Sequence, residues 1–255
     1  MSAFQVEGVT VSIVSHNQVQ MLNHLLADLI HCKYITKVIV THNLPEPQAF
    51  FPTDYDTSKV VILENDYPLG FGRNHNRAFL QCTTKYFAIL NPDLRLPSDP
   101  FPNLLNGLES GNVGAIAPVV SDGSGGIEDN ARRFPTPISL LTRCLRLDTP
   151  PKIPASSRSL IDSDWVAGMF IIMRSELFSR IGGFDERFFL YCEDVDLCLR
   201  LRRLNYKIVL EPSTSVIHYA QRLSRRQLKY FVIHLLSYLR LFRNYPNLLW
   251  TRKKP

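Results

Sequence analysis

The 255-residue chain has no Cys-x-x-Cys pair, no internal repeat and no low-complexity tract. Its five cysteines, Cys32, Cys82, Cys144, Cys192 and Cys198, are scattered and odd in number. That argues against a zinc site or a disulfide scaffold and fits free thiols in a reducing compartment. No apolar run approaches the roughly 20 residues that a bilayer-spanning helix needs. Met1-Ser2-Ala3-Phe4-Gln5 lacks the charged-then-apolar order of a secretion signal, so the expected location is cytoplasmic. Neither the GxGxxG of dinucleotide folds nor a P-loop ending in GKS or GKT occurs. Acidic residues are absent from Gln221 onward, where nine basic ones stand: Arg222, Arg225, Arg226, Lys229, Arg240, Arg243, Arg252, Lys253 and Lys254. Those nine exceed the net charge of +6, so the part before them is mildly acidic. A nucleic-acid partner is therefore not expected.

What is present is ordinary globular composition, 45% hydrophobic and 20% charged, enough for one α/β domain with a substantial core. Apolar runs at residues 9–15, 37–41, 59–63 and 85–90 read as strands, and a helical pattern built on Leu22, Leu25, Leu26, Leu29 and Ile30 follows the first. Strands alternating with helices imply a mostly parallel, Rossmann-like sheet whose ligands bind beyond the carboxyl ends of the strands. A further strand is expected at 113–118. Residues 119–163 show no clear period and read as a functional lid or a partly disordered segment. The stretch from Trp165 to Met173 returns to the core, a helix is expected at 174–181, and two short strands at 206–210 and 215–218. The domain is read as 1–220, with a basic amphipathic tail at 221–255. In that tail Leu228, Phe231, Val232, Leu235, Leu236, Leu239 and Phe242 share one helical face. It either packs on the domain or docks on an anionic membrane surface.

Four stretches could carry chemistry. Leu69-Gly70-Phe71-Gly72-Arg73-Asn74 is a glycine turn into a helix, either a plain turn or a diphosphate site. Asn91-Pro92-Asp93 ends a strand and is either a turn or an oxygen ligand for Mg²⁺ or Mn²⁺. His218 would need a partner to act as a metal ligand, and Asp93 is a candidate for it. Glu193-Asp194-Val195-Asp196 opens a helix whose apolar stripe is Leu197, Leu201 and Leu204. Its three acids either cap the helix or supply a general base shielded by Phe188, Phe189 and Tyr191.

In order along the chain, Val11-Ser12-Ile13-Val14-Ser15-His16-Asn17, Leu69-Gly70-Phe71-Gly72-Arg73-Asn74-His75-Asn76, Leu90-Asn91-Pro92-Asp93, Trp165-Val166-Ala167-Gly168, Gly182-Gly183-Phe184-Asp185-Glu186-Arg187-Phe188-Phe189, Glu193-Asp194-Val195-Asp196 and His218 resemble glycosyltransferase family 2. These are inverting enzymes of the GT-A fold, and the likeness is strongest to the rhamnosyltransferase-like branch of bacterial polysaccharide synthesis. The resemblance implies that Asp93 and His218 hold a divalent cation (Mg²⁺ or Mn²⁺) and that Asp194 is the catalytic base. Trp165 and Glu193 would face the acceptor, while Asn17, Asn43, Gly70, Arg73, Asn76 and Asp93 would lie by the donor. It further implies transfer of L-rhamnose from dTDP-rhamnose to a growing, lipid-linked cell-surface saccharide such as an O-antigen, at the inner face of the cytoplasmic membrane. A UDP-sugar donor (galactosyl or N-acetylglucosaminyl) and a non-catalytic sugar-nucleotide-binding subunit are the competing readings. One departure stands out: His42 in Val40-Thr41-His42-Asn43 occupies the place of the family's nucleobase-contacting acid.

Overall fold

A computed structural model describes residues 4, 6–51, 56–144, 159–219 and 228–249. Its centre is a nine-stranded sheet. The first half winds β1 (Val6–Ser15), α1 (Val19–Leu29), β2 (Ile35–His42), β3 (Val60–Glu64), α2 (Phe71–Phe79) and β4 (Thr84–Leu90). After β5 (Leu94–Arg95) come α3 (Phe101–Glu109), β6 (Val113–Asp122), β7 (Ala131–Arg132), α4 (Pro137–Cys144), β8 (Ile161–Ser163) and β9 (Trp165–Val166). The chain continues through β10 (Phe170–Arg174), α5 (Ser175–Arg180), α6 (Glu193–Arg203), β11 (Lys207–His218) and α7 (Leu228–Asn244).

The strand order is β3-β2-β1-β4-β10-β6-β11-β5, with β8 beside β11. Strands β3, β2, β1, β4, β6 and β11 run one way, while β10, β5 and β8 run against them. The sheet is thus mixed, parallel in the order of its first half and reversed at β10. Of that half, β1, β2 and β4 are apolar enough to be covered on both faces, while the edge strand β3 has no buried residue. On one face Leu22, Leu25, Leu26 and Leu29 of α1 and Phe101, Leu104 and Leu108 of α3 join Val9, Val11 and Ile13. On the other, Phe178 of α5, Leu197 and Leu201 of α6 and Leu241 of α7 meet Phe87, Ile89 and Ile171. Two covered faces make one α/β domain.

Several expectations are corrected. The stretch 119–163 is not wholly irregular: β6 extends to Asp122, β7 pairs with β9, and β8 adds an antiparallel strand to β11. The two short strands expected near 206–218 are one strand, interrupted by a register shift between Glu211 and Ser215. Leu204 does not extend the α6 stripe; it caps the helix and is 43% exposed. In α7, whose apolar stripe was expected either to pack on the domain or to dock on a membrane, Leu228, Phe231, Val232, Leu235, Leu236 and Leu239 are exposed, Phe242 packs against the core, and Ser237 and Leu241 are buried. The start of the tail, 220–227, and its end, 250–255, lie outside the described residues.

The turn into α2 depends on space rather than on an unusual dihedral. Gly70 has φ −66°, yet a Cβ there would lie 2.7 Å from the Phe189 carbonyl oxygen and 3.0 Å from its Cα. Both are backbone atoms, which cannot rotate away. Gly70→Ala should therefore lower stability by about 1–3 kcal/mol. Denaturant unfolding would check this, and an unchanged midpoint would contradict the packing argument.

Candidate active site

The carboxyl ends of the parallel strands converge on a cavity of about 580 Å³. His16 and Gln18 reach it from the turn after β1, Asn43 from β2, Leu69 and Phe71 from the glycine turn, and Asp93 from the β4 end. His218 closes it from β11, and Lys229, Tyr230 and Ile233 of α7 supply a further wall. Asn43, Asp93 and His218 are thus brought together as expected. Asn17, left-handed at φ 59°, makes the turn that presents its neighbours but does not itself line the cavity. Gly70 likewise lies between two lining residues.

Arg73 and Asn76 do not join the cavity. Arg73 Nε lies 3.6 Å from Glu186, and Asn76 fastens the 183–186 loop. It donates to Phe184 O at 2.9 Å and accepts from Phe184 N–H at 2.8 Å. Asn43 lines the cavity but spends its amide on neighbours: Oδ1 accepts from Asn65 Nδ2 at 2.9 Å and from Leu69 N–H at 2.8 Å, while Nδ2 donates to Leu69 O at 3.0 Å. Asn65 also donates to Asn74 at 2.7 Å. Three buried amides thereby hold the loop leading into α2, the arrangement that buried polar groups require.

At the β4 end, Asp93 is 7% exposed, and its Oδ1 lies 3.2 Å from His218 Nε2 with no aligned donor of its own. His218 Nδ1 is 2.8 Å from Glu128 Oε2. Burial works to lower the His218 pKa, but the carboxylates of Asp93 and Glu128 outweigh it and the net shift is upward. A histidine oriented by a carboxylate on one nitrogen, with a second carboxylate facing the other, is the pattern of an oriented metal ligand. The orphaned Asp93 oxygen fits a cation held between Asp93 and His218. Among the described residues no group of three His, Cys, Asp or Glu side chains could hold a metal by itself.

Helix α6 begins under strain: Tyr191 and Cys192 are consecutively left-handed, at φ 70° and 66°. Asp194, Glu193 and Trp165 are not among the residues that line the cavity; Tyr191, just before the helix, is. The Asp194 carboxylate accepts from Gly168 N–H at 2.9 Å and from Val195 N–H at 2.8 Å. Burial pushes its pKa up, while those two donors and the Arg132 charge pull against it. Burial, with the Asp194 charge added, raises Glu193 well above the usual carboxylate range. Glu193 is packed inside, its Oε2 without a partner. Asp196, the third acid, is structural: it accepts from Tyr245 OH at 2.6 Å and from Arg200 Nε at 2.8 Å. The turn that feeds Asp194 also serves the acidic turn, since Asn91 N–H donates to Met169 O at 2.8 Å. Trp165 is nearly buried, donating from Nε1 to Arg133 O at 2.9 Å, with the Arg132 guanidinium 5.4 Å from its ring.

A model of the family described as "Glycosyl transferase family 2" matches residues 10–166. The chain belongs to glycosyltransferase family 2. It is 30% identical over 249 residues to rhamnosyltransferase WbbL of Escherichia coli (strain K12), an alignment covering 91% of each. It is 28% identical over 180 residues to the N-acetylglucosaminyl-diphospho-decaprenol L-rhamnosyltransferase of Mycobacterium tuberculosis, covering 63% of this chain and 59% of that one. The fold resembles a structure of GalNAc-T7 with UDP, GalNAc and Mn²⁺, with TM-score 0.63, 13% identity and coverage of 84% of this chain and 43% of that one. It also resembles the Pyrobaculum calidifontis mannosyltransferase PcManGT with GDP-Man and Mn²⁺, with TM-score 0.60, 17% identity and coverage of 93% and 66%. The fold is therefore of the GT-A type, and the protein is a glycosyltransferase.

This family 2 member places several residues at its site that sequence reasoning missed. Glu128 lies in a stretch without periodicity, so no spacing marked it. Glu46 is reached only through folding: Oε1 lies 3.0 Å from His42 Nδ1, and Oε2 accepts from Gln18 N–H at 3.1 Å. A carboxylate thus stands beside His42, although neither side chain lines the cavity. His75 is fully buried on the cavity wall, its Nδ1 2.8 Å from Ser12 Oγ.

Burial lowers the His75 pKa from 6.5 to about 3. Between those values the unfolded chain binds a proton that the folded chain does not, so the stability this neutral ring confers is present above pH 6.5 and is lost as pH falls. Below that point the loss approaches about 1.4 kcal/mol per pH unit. The stability difference between wild type and His75→Gln, from urea titrations at pH 7, 6 and 5, should narrow accordingly. A pH-independent difference would show that His75 titrates normally in the fold.

Proposed function

We propose that this glycosyltransferase is metal-dependent and inverting, and that it moves L-rhamnose from dTDP-rhamnose to a hydroxyl of a lipid-linked saccharide. The acceptor would be met as a peripheral protein at the inner face of the cytoplasmic membrane. The observation that carries the reading is the buried, orphaned Asp93 oxygen facing His218 at the cavity edge. A cation bound there would balance charge on the donor diphosphate. Both rhamnosyltransferase relatives, one named for a decaprenol-linked saccharide, support the choice of sugar and acceptor.

In this reading Asp93 and His218 would hold the cation, and Glu128 orients the His218 ring. Asp194 takes the proton from the acceptor hydroxyl as that oxygen bonds to the anomeric carbon. The bond from that carbon to the diphosphate breaks on the opposite face, and its electron pair leaves with the nucleoside diphosphate. Burial raises the Asp194 pKa, toward the range a general base needs, and the two backbone N–H groups oppose that rise and aim the carboxylate. Asn43 holds the donor-side loop, and Asn17 and Gly70 shape the turns beside it. Arg73 and Asn76 act through the 183–186 loop rather than on the donor. Trp165 supports the acceptor side through β9, and Glu193 packs behind the base. With His42 at the place where the resemblance expects an acid, either other groups contact the nucleobase or the donor differs, and a UDP-sugar is the second reading.

Purified protein with Mn²⁺ or Mg²⁺, offered a panel of nucleotide sugars, should release nucleoside diphosphate from dTDP-rhamnose. Release from a UDP-sugar alone would select the second reading, and neither release nor donor binding by calorimetry would overturn both. Asp194→Asn should reduce kcat by about 10²–10⁴ while leaving donor affinity intact. Equal losses in donor affinity would argue against its role as base. Glu128→Gln should weaken Mn²⁺ binding about 10–100-fold, measured by electron paramagnetic resonance with nucleoside diphosphate present. An unchanged Mn²⁺ affinity would remove Glu128 from the site.

A further inference from the structure

Helix α7 presents two opposed faces. Its inner face belongs to the cavity: Tyr230 and Ile233 line it, the His234 ring stacks on Tyr191 at a centroid distance of 4.3 Å, and Ser237 Oγ donates to Leu190 O at 2.8 Å. Its outer face is a continuous apolar stripe, Leu228, Phe231, Val232, Leu235, Leu236 and Leu239, each between 44% and 77% exposed. The spacing i, i+3, i+4, i+7, i+8, i+11 keeps all six on one side for the length of the helix. A stripe of this extent is not an ordinary solvent face.

We infer that the outer face of α7 docks in the interfacial layer of an anionic lipid surface, with the helix lying in the plane of that surface. Among the described residues no helix is long and apolar enough to cross a membrane, so the stripe can meet lipid only along its side. Charge selects the occupant. On the helix Arg243 is exposed, while Lys229 lines the cavity and Arg240 donates to Arg187 O; Arg222, Arg225 and Arg226 precede the helix in sequence, and Arg252, Lys253 and Lys254 follow it, with no acid from Gln221 onward. Anionic headgroups complement such a segment, whereas a second copy would bring two basic segments together. Because the inner face of the same helix walls the cavity, docking places the cavity beside the lipid. An acceptor whose carrier sits in that layer then approaches within the plane of the surface; this last step rests on the function proposed above.

The test is flotation of the full chain with vesicles, which requires neither donor nor turnover. The protein should float with vesicles containing phosphatidylglycerol and bind about tenfold or more weakly to phosphatidylcholine alone or in high salt. The double variant Phe231→Asp, Leu235→Asp should lose flotation by a similar factor while keeping its circular dichroism and its nucleotide release without vesicles. Equal flotation of the variant, or no flotation of either protein, would overturn the inference. So would a dimer by light scattering that the variant dissociates, since the stripe would then belong to a second copy. If flotation follows the expectation but no nucleotide is released, the docking surface stands and the proposed reaction falls.

Discussion

The hydrogen bond from Gly168 N–H to Asp194 is the contact on which the arrangement of the site turns. A carboxylate buried at the start of a helix tends to neutralise unless donors hold its charge. Gly168 supplies one donor and Val195 the other, and Arg132 adds a positive charge nearby. The same turn accepts from Asn91, so the position of the base and that of the acidic strand end are set by one piece of backbone. Gly168 is closely packed: a Cβ there would lie 3.1 Å from the Phe71 ring, which would have to shift, and Phe71 lines the cavity.

Around that contact, buried polar groups are paired in ways that lock loops. Asn43, Asn65 and Asn74 tie the β2 end to the turn into α2. Glu46 joins the turns after β1 and β2. Asn76 does the same for the 183–186 loop across more than a hundred residues. Each tie satisfies groups that would otherwise be costly to bury, and each removes freedom from backbone at the cavity's edge. Asn65 and Asn76 hold backbone at the cavity's edge without lining it, while Arg73 pairs loosely with Glu186 at the exposed surface.

The first-half strands, α1, α5 and the acidic helix are legible in the sequence because their periodicities are strong and local, whereas α3 (Phe101–Glu109) was not expected. What failed was anything depending on distant partners. Residues 119–163 looked irregular because β7 and β8 are two and three residues long and owe their existence to β9 and β11. Glu128 and His75 had no spacing to mark them, since one acts through β11 and the other through β1.

Helix α7 shows the boundary most clearly. Sequence alone determined that it is a basic amphipathic helix, because its apolar residues recur at helical intervals and its charges are all positive. It could not determine which face packs. Only the tertiary structure decided that Ser237, Leu241 and the aromatic edge beside Tyr191 turn inward and that the apolar stripe turns out. The reason is physical. Periodicity reports that a helix has two faces, but the surface each face meets is set by the shape and hydrogen-bonding needs of elements far away in the chain, here the 187–192 loop and the first turn of α6.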